Sequence, residues 1–228
     1  MIRRRGDLTV FKNMNLPNKL TVLRMILVPV FIIIMALTVL DGLSWLSFIA
    51  LVIYIIASVT DFVDGRIARS NNLITDFGKV MDPLADKMLV CAGFIMLTYL
   101  KVIPGWIVAI ILVRDFYVDG LRMLAMMKNK VVPAYFIGKV KTFFEMVTIV
   151  FALISVPVTN SAPIFAFIDK GMSMPIFGLF VNIFTTVCTC GTLIVTVISI
   201  FTYSVSLSKI ITGNDEEERV LEIKEAND

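Results

Sequence analysis

Three long runs without a single charged residue, Leu43–Thr60, Met146–Ile168 and Gly171–Ser208, constrain this chain more than anything else in it. A soluble domain of 228 residues cannot bury that much continuous apolar chain, so these stretches require lipid or neighbouring spans. Composition agrees, with 58% hydrophobic and 17% charged residues, against about 25% charged in ordinary soluble domains. Histidine is absent, which removes Ser-His-Asp triads, Cys-His dyads, His-ligated zinc or haem and every imidazole acid/base scheme. Chemistry, if present, rests on carboxylates, cations or metals. Cys91, Cys188 and Cys190 fall inside apolar segments, without C-x-x-C spacing, and read as packing residues. A net charge of +3, scattered along the chain, does not suit a nucleic-acid binder.

A hydrocarbon core takes about 20 helical residues, and the breaks in the pattern divide the chain into six spans. Leu16–Arg24 reads as an amphipathic interfacial lead-in to a first span ending near Leu40, and Asp41-Gly42 as a turn. Later spans are expected at 44–69, 77–100, 104–127, 139–162 and 176–205, separated by Asn71-Asn72, Pro104-Gly105, Asn129 with Pro133, and the stretch from Pro157 to Pro175. The expected fold is therefore all-α, a polytopic membrane protein of six transmembrane helices with an N-terminal amphipathic helix. Residues 1–14 form a basic extension without the pattern of a cleaved signal peptide, 15–209 the membrane domain, and 210–228 an acidic, solvated tail with scope for a brief helix. With six crossings, every Lys and Arg except Lys101 and Lys170 lies on the side of the termini or in the half-membrane nearest it. The positive-inside rule then puts both termini in the cytoplasm, in a multi-pass protein of the cell membrane.

Charge inside a membrane segment is costly and usually marks function, which directs attention to Asp61–Lys87. Asp61 and Asp64 stand at i, i+3 and Asp82 and Asp86 at i, i+4, so each pair projects from one helical face. A short turn at Asn71-Asn72 would make the two helices antiparallel and let the four carboxylates converge. Four anions in a low dielectric demand protons or cations, and all-oxygen ligands suit Mg²⁺ or Mn²⁺, so a two-metal site is expected. Gly65 and Gly78 leave room for phosphates to approach the backbone, and Arg69 offers a fork for their oxygens. A solvated rim of ion pairs with Arg66, Arg69, Lys79 and Lys87 would have no use for the glycines and matched spacings.

Asp61 to Asp86 fits D-x2-D-G-x2-A-R-x8-G-x3-D-x3-D at every fixed position. On these residues the chain resembles the CDP-alcohol phosphatidyltransferase family, six-helix membrane enzymes of phospholipid synthesis. The resemblance implies Asp61, Asp64 and Asp82 as metal ligands and Asp86 as the base that deprotonates the acceptor alcohol and also touches a metal. It further implies a CDP-lipid contacted around Gly65, Ala68, Arg69 and Gly78, with Asn18 and Thr21 from a lead-in of the form Pro17-Asn18, Leu20-Thr21, Arg24.

A second charged set, Arg114-Asp115, Arg122, Gly138-Lys139-Val-Lys141-Thr142 and Glu145, lies on the expected fourth and fifth spans. Lys128 and Lys130 read as snorkelling cations, whereas Arg114 and Arg122, deep in an apolar helix, read as an interior anion site. These residues resemble the branch of the family whose acceptor is sn-glycerol 3-phosphate and whose products are phosphatidylglycerophosphate and CMP. The implied acceptor-phosphate ligands are Arg114, Arg122, Lys139 and Lys141. Asp115 stands where that branch usually has Glu, Asp119 where it has a small or hydroxylated residue, and Arg66 replaces an apolar one. The expected partners are CDP-diacylglycerol, glycerol 3-phosphate and the bilayer, with a homodimer as candidate assembly and no nucleic acid. Other acceptors within the family, a cation-coupled transporter and a non-catalytic scaffold are the alternatives; a transporter would spread its acids over several spans instead of clustering them on two.

Overall fold

The computed structural model describes the backbone at residues 16–40, 43–70, 76–127, 136–159, 164 and 175–225, and the side chains at 19–40, 43–60, 81, 84–123, 137–138, 140–159, 164 and 175–205. The described residues form six helices: α1 Leu16–Leu37, α2 Leu46–Ser70, α3 Asp76–Tyr99, α4 Gly105–Met127, α5 Phe136–Val158 and α6 Ile176–Glu225. Three of them contain stretches long and apolar enough to cross a membrane, Lys19–Leu37, Val140–Val158 and Ile176–Val205. The helices distribute over two compact units, one within residues 1–104 and 149–185, the other within 105–148 and 186–228.

The lead-in is the first turns of α1 itself; no separate interfacial helix precedes it among the described residues. Pro17 sits in the first turn, where its missing N–H costs nothing, whereas Pro29 lies inside the helix and leaves the Met25 carbonyl without its usual donor. In the first unit α1 packs against both α2 and α3, which also touch each other. Phe31 and Met35 of α1 and Ala50, Tyr54 and Ala57 of α2 are fully buried, while Ile26, Ile33, Val52 and Val59 are exposed. Exposed large aliphatic residues at helical spacing, with polar groups inside, are the arrangement expected where lipid replaces water. Gly93 allows α3 to meet α5 closely, since a Cβ there would stand 3.0 Å from Ile149 Cδ1.

α3 ends at Tyr99 and α4 begins at Gly105, so the turn between them falls in the expected gap before Pro104-Gly105. The N–H of Val102 bonds to Leu97 O at 3.0 Å and that of Lys101 to Thr98 O at 2.9 Å, closing a Schellman motif. Lys101 occupies its left-handed position, with φ 60°. Leu97 and Val102 are buried together beneath it, and Val102 O accepts the N–H of buried Ile164 at 3.0 Å. Glycine normally takes this position because a Cβ is strained there. Lys101→Gly is therefore expected to raise stability by about 0.5–1 kcal/mol, and Lys101→Val to lower it, as read by thermal unfolding in detergent.

In the second unit α6 presents one unusual stripe. Asn182, Thr185, Thr189, Thr192, Thr196, Ser199 and Tyr203 are all buried; they recur at alternating steps of three and four residues, and the last five lie in this unit. Thr192 meets Thr148 of α5 hydroxyl to hydroxyl at 2.9 Å. Small hydroxylated residues of this kind let membrane helices approach and give them hydrogen bonds to share. The tail after Gly213 is no brief turn of helix: α6 runs on to Glu225, because Glu, Arg, Leu and Lys in this stretch are strong helix formers.

Candidate functional site

In the first unit, the backbone places Asp61 and Asp64 on α2 and Asp82 and Asp86 on α3, all in regular helix, so the i, i+3 and i, i+4 spacings hold. The side chains of Asp61, Asp64 and Asp82 lie outside the described residues, as do those of Asn18, Arg66, Ala68 and Arg69 and the surroundings of both signature glycines. Asp86 is half-buried. Thr21 and Arg24 of α1 point into the unit, Arg24 with only 1% of its surface exposed. Its Nε donates to Ala57 O at 3.2 Å, a carbonyl that also accepts the Thr60 hydroxyl at 2.8 Å. Ala57 lies one turn before Asp61, so a guanidinium is locked beside the N-terminal end of the carboxylate run. Without a hydrogen-bonding partner, a buried cation would cost several kcal/mol.

All four candidate ligands are carboxylates on helices that pack in one unit, a donor set that fits Mg²⁺ or Mn²⁺.

In the second unit, Arg114 and Lys141 come together as expected, but around acids. Arg114 Nη1 contacts Asp115 Oδ1 at 3.0 Å, and its Nη2 donates to the Ser199 hydroxyl on α6. Lys141, 2% exposed, bonds the same Asp115 carboxylate and reaches Glu145 Oε1 at 2.5 Å. The set brings two basic side chains together with two carboxyl groups. Asp115 and Glu145 thus hold Arg114 and Lys141 in place and take up their charge.

Arg122 differs. Its Nη2 donates to the Tyr203 hydroxyl at 2.6 Å, and its guanidinium lies over the Tyr203 ring, 5.1 Å from the centroid. Arg114 lies near the same ring, at 5.5 Å. Tyr203 is neutral, and among the described residues Arg122 forms no salt bridge. Tyr117 and Ser204 extend the seam with a hydroxyl contact of 3.1 Å. The Lys139 side chain lies outside the described residues. Ser199 and Tyr203 were not singled out by the sequence reading, since they carry no charge; their only signal is the three-and-four spacing of hydroxylated residues along an apolar helix.

Comparison with known proteins shows the family. The family model described as CDP-alcohol phosphatidyltransferase matches residues 14–172. Among curated proteins, "CDP-diacylglycerol--glycerol-3-phosphate 3-phosphatidyltransferase" of Bacillus subtilis (strain 168) is 43% identical over 143 residues, covering 59% of this chain and 74% of the relative. Proteins of the same name from Rickettsia felis and Escherichia coli (strain K12) are 41% and 37% identical, covering 58% and 61% of this chain and 71% and 76% of their own lengths. The matched region takes in α2 and α3 with the whole carboxylate signature; the chain belongs to the CDP-alcohol phosphatidyltransferase family.

Proposed function

We propose that this chain is a membrane enzyme that transfers the phosphatidyl group of CDP-diacylglycerol to sn-glycerol 3-phosphate, giving phosphatidylglycerophosphate and CMP. The observation that carries the reading is the complete eight-residue signature on two helices that pack together, in a chain 43% identical to a protein named for this reaction. Asp61, Asp64, Asp82 and Asp86 would hold two Mg²⁺ or Mn²⁺ ions. What such ions supply when bound is neutralisation of the diphosphate and of the charge on departing CMP.

The remaining roles fall to the chain's own groups. Arg69, with Gly65, Gly78, Ala68, Asn18 and Thr21, receives the CDP-lipid. Asp86 accepts the proton of the acceptor hydroxyl while its oxygen bonds to the lipid-bearing phosphorus and the P–O bond to CMP breaks, the electron pair leaving with CMP. Such chemistry depends on positioning and charge, so the lack of histidine is no obstacle. Arg122, with Lys139, holds the acceptor phosphate, while Arg114 and Lys141 form the frame beside it. The reading takes six crossings with Leu16–Arg24 as amphipathic lead-in; given those crossings, the distribution of Lys and Arg supports termini and chemistry on the cytoplasmic side.

Purified protein given CDP-diacylglycerol and each acceptor in turn is expected to form product with glycerol 3-phosphate and not with glycerol, serine or inositol. Loss of one charge-assisted contact in Arg122→Ala is expected to raise KM for glycerol 3-phosphate about 10–150-fold and leave KM for CDP-diacylglycerol nearly unchanged. Equal use of an unphosphorylated acceptor would overturn the acceptor assignment.

A further inference from the structure

Tyr203 occupies a place that packing alone does not explain. It is fully buried, near the end of the apolar part of α6. Its ring lies within 6 Å of two guanidinium groups, the range in which a cation is attracted to an aromatic face. Its hydroxyl accepts a 2.6 Å bond from Arg122. Gly138, at the start of α5, leaves the room that hydroxyl needs, since a Cβ there would stand 3.0 Å from Tyr203 Oη. Three elements of one unit therefore converge on a single phenol.

The two arginines it serves are not equivalent. Arg114 also has Asp115 and Ser199 to fix it, whereas ring and hydroxyl of Tyr203 are the contacts seen to hold Arg122. A phenol fixes a guanidinium without neutralising it; a carboxylate in its place would cancel the charge. That is what an arginine needs if it is to bind an anion while remaining ordered.

We propose that Tyr203 is the positioning residue for Arg122, ordering its guanidinium with full charge for the phosphate of the acceptor and so contributing to selection of a phosphorylated acceptor. The proposal rests on the reading of Arg122 as acceptor-phosphate ligand. Gly138 acts in the same device by keeping the hydroxyl in reach.

Three variants test it in purified protein, with KM for each substrate and kcat as readouts. Tyr203→Phe keeps the ring and removes the hydroxyl, so KM for glycerol 3-phosphate should rise about 3–10-fold. KM for CDP-diacylglycerol and kcat at saturating acceptor should stay unchanged. Gly138→Ala should shift KM in the same direction by displacing the hydroxyl. In an Arg122→Gln background, Tyr203→Phe should add less than about twofold, because the two residues act as one unit. Multiplicative effects, or a rise of both KM values together, would overturn the proposal. If Arg122→Gln raises KM for glycerol 3-phosphate and Tyr203→Phe does not, this inference alone falls. If Arg122→Gln leaves that KM unmoved, the acceptor reading falls and takes it along.

Discussion

Asp61→Asn, Asp64→Asn and Asp82→Asn are each expected to reduce CMP release about 1,000-fold or more, because each removes an anionic oxygen ligand that a neutral amide replaces poorly. The three substitutions keep size and helical context, so the protein should still be recovered folded in detergent and give an unchanged circular dichroism spectrum. Asp86→Asn should behave differently. A general base acts only when the alcohol is present, so this variant is expected to keep CDP-lipid binding far better than turnover. Binding measured by a labelled CDP-lipid, set beside kcat, separates the two cases. Equal losses of binding and rate in Asp86→Asn would assign that residue to the metals.

The largest effect on stability is expected at Lys141. Its ammonium is buried between Asp115 and Glu145, and Glu145 is itself 2% exposed. Lys141→Met fits the space and deletes the charge, leaving two carboxylates with Arg114 as the one cation of the set. Removing one partner from a buried ion pair costs about 3–5 kcal/mol, so a large drop in thermal midpoint is expected. The same arrangement specifies its own rescue. Adding Glu145→Gln to Lys141→Met leaves one basic side chain with one carboxyl group, and much of the lost stability should return. A small effect in the single variant, or no recovery in the double, would show that this set does not hold the unit together.

The helices were legible because the physics that makes them is written in the charge pattern. A chain this apolar can satisfy its backbone in lipid only as helices, and most of the boundaries lie within three residues of a charge, a proline or an asparagine pair. The gap between α3 and α4 was legible to within a residue, from Pro104-Gly105. Within it the chain turns at Lys101, a residue that advertises nothing. The carboxylates were legible because aspartate inside a membrane helix has few structural excuses. For Arg114 and Lys141, burial and charge were readable, but their engagement by Asp115 and Glu145 depends on how α4 and α5 pack, which one-dimensional spacing does not contain. Tyr203 was invisible for the opposite reason: its role comes from two arginines on another helix, and alone it reads as one more aromatic residue in an apolar run.

The transfer reaction is tested by measuring CMP and lipid product together, with purified protein, CDP-diacylglycerol and glycerol 3-phosphate, in Mg²⁺ and again after EDTA. The expected result is one phosphatidylglycerophosphate for each CMP, no release of CMP without acceptor, and loss of both products in EDTA with recovery when Mg²⁺ or Mn²⁺ is restored. Undiminished turnover in EDTA, or CMP formed at the same rate without glycerol 3-phosphate, would contradict it.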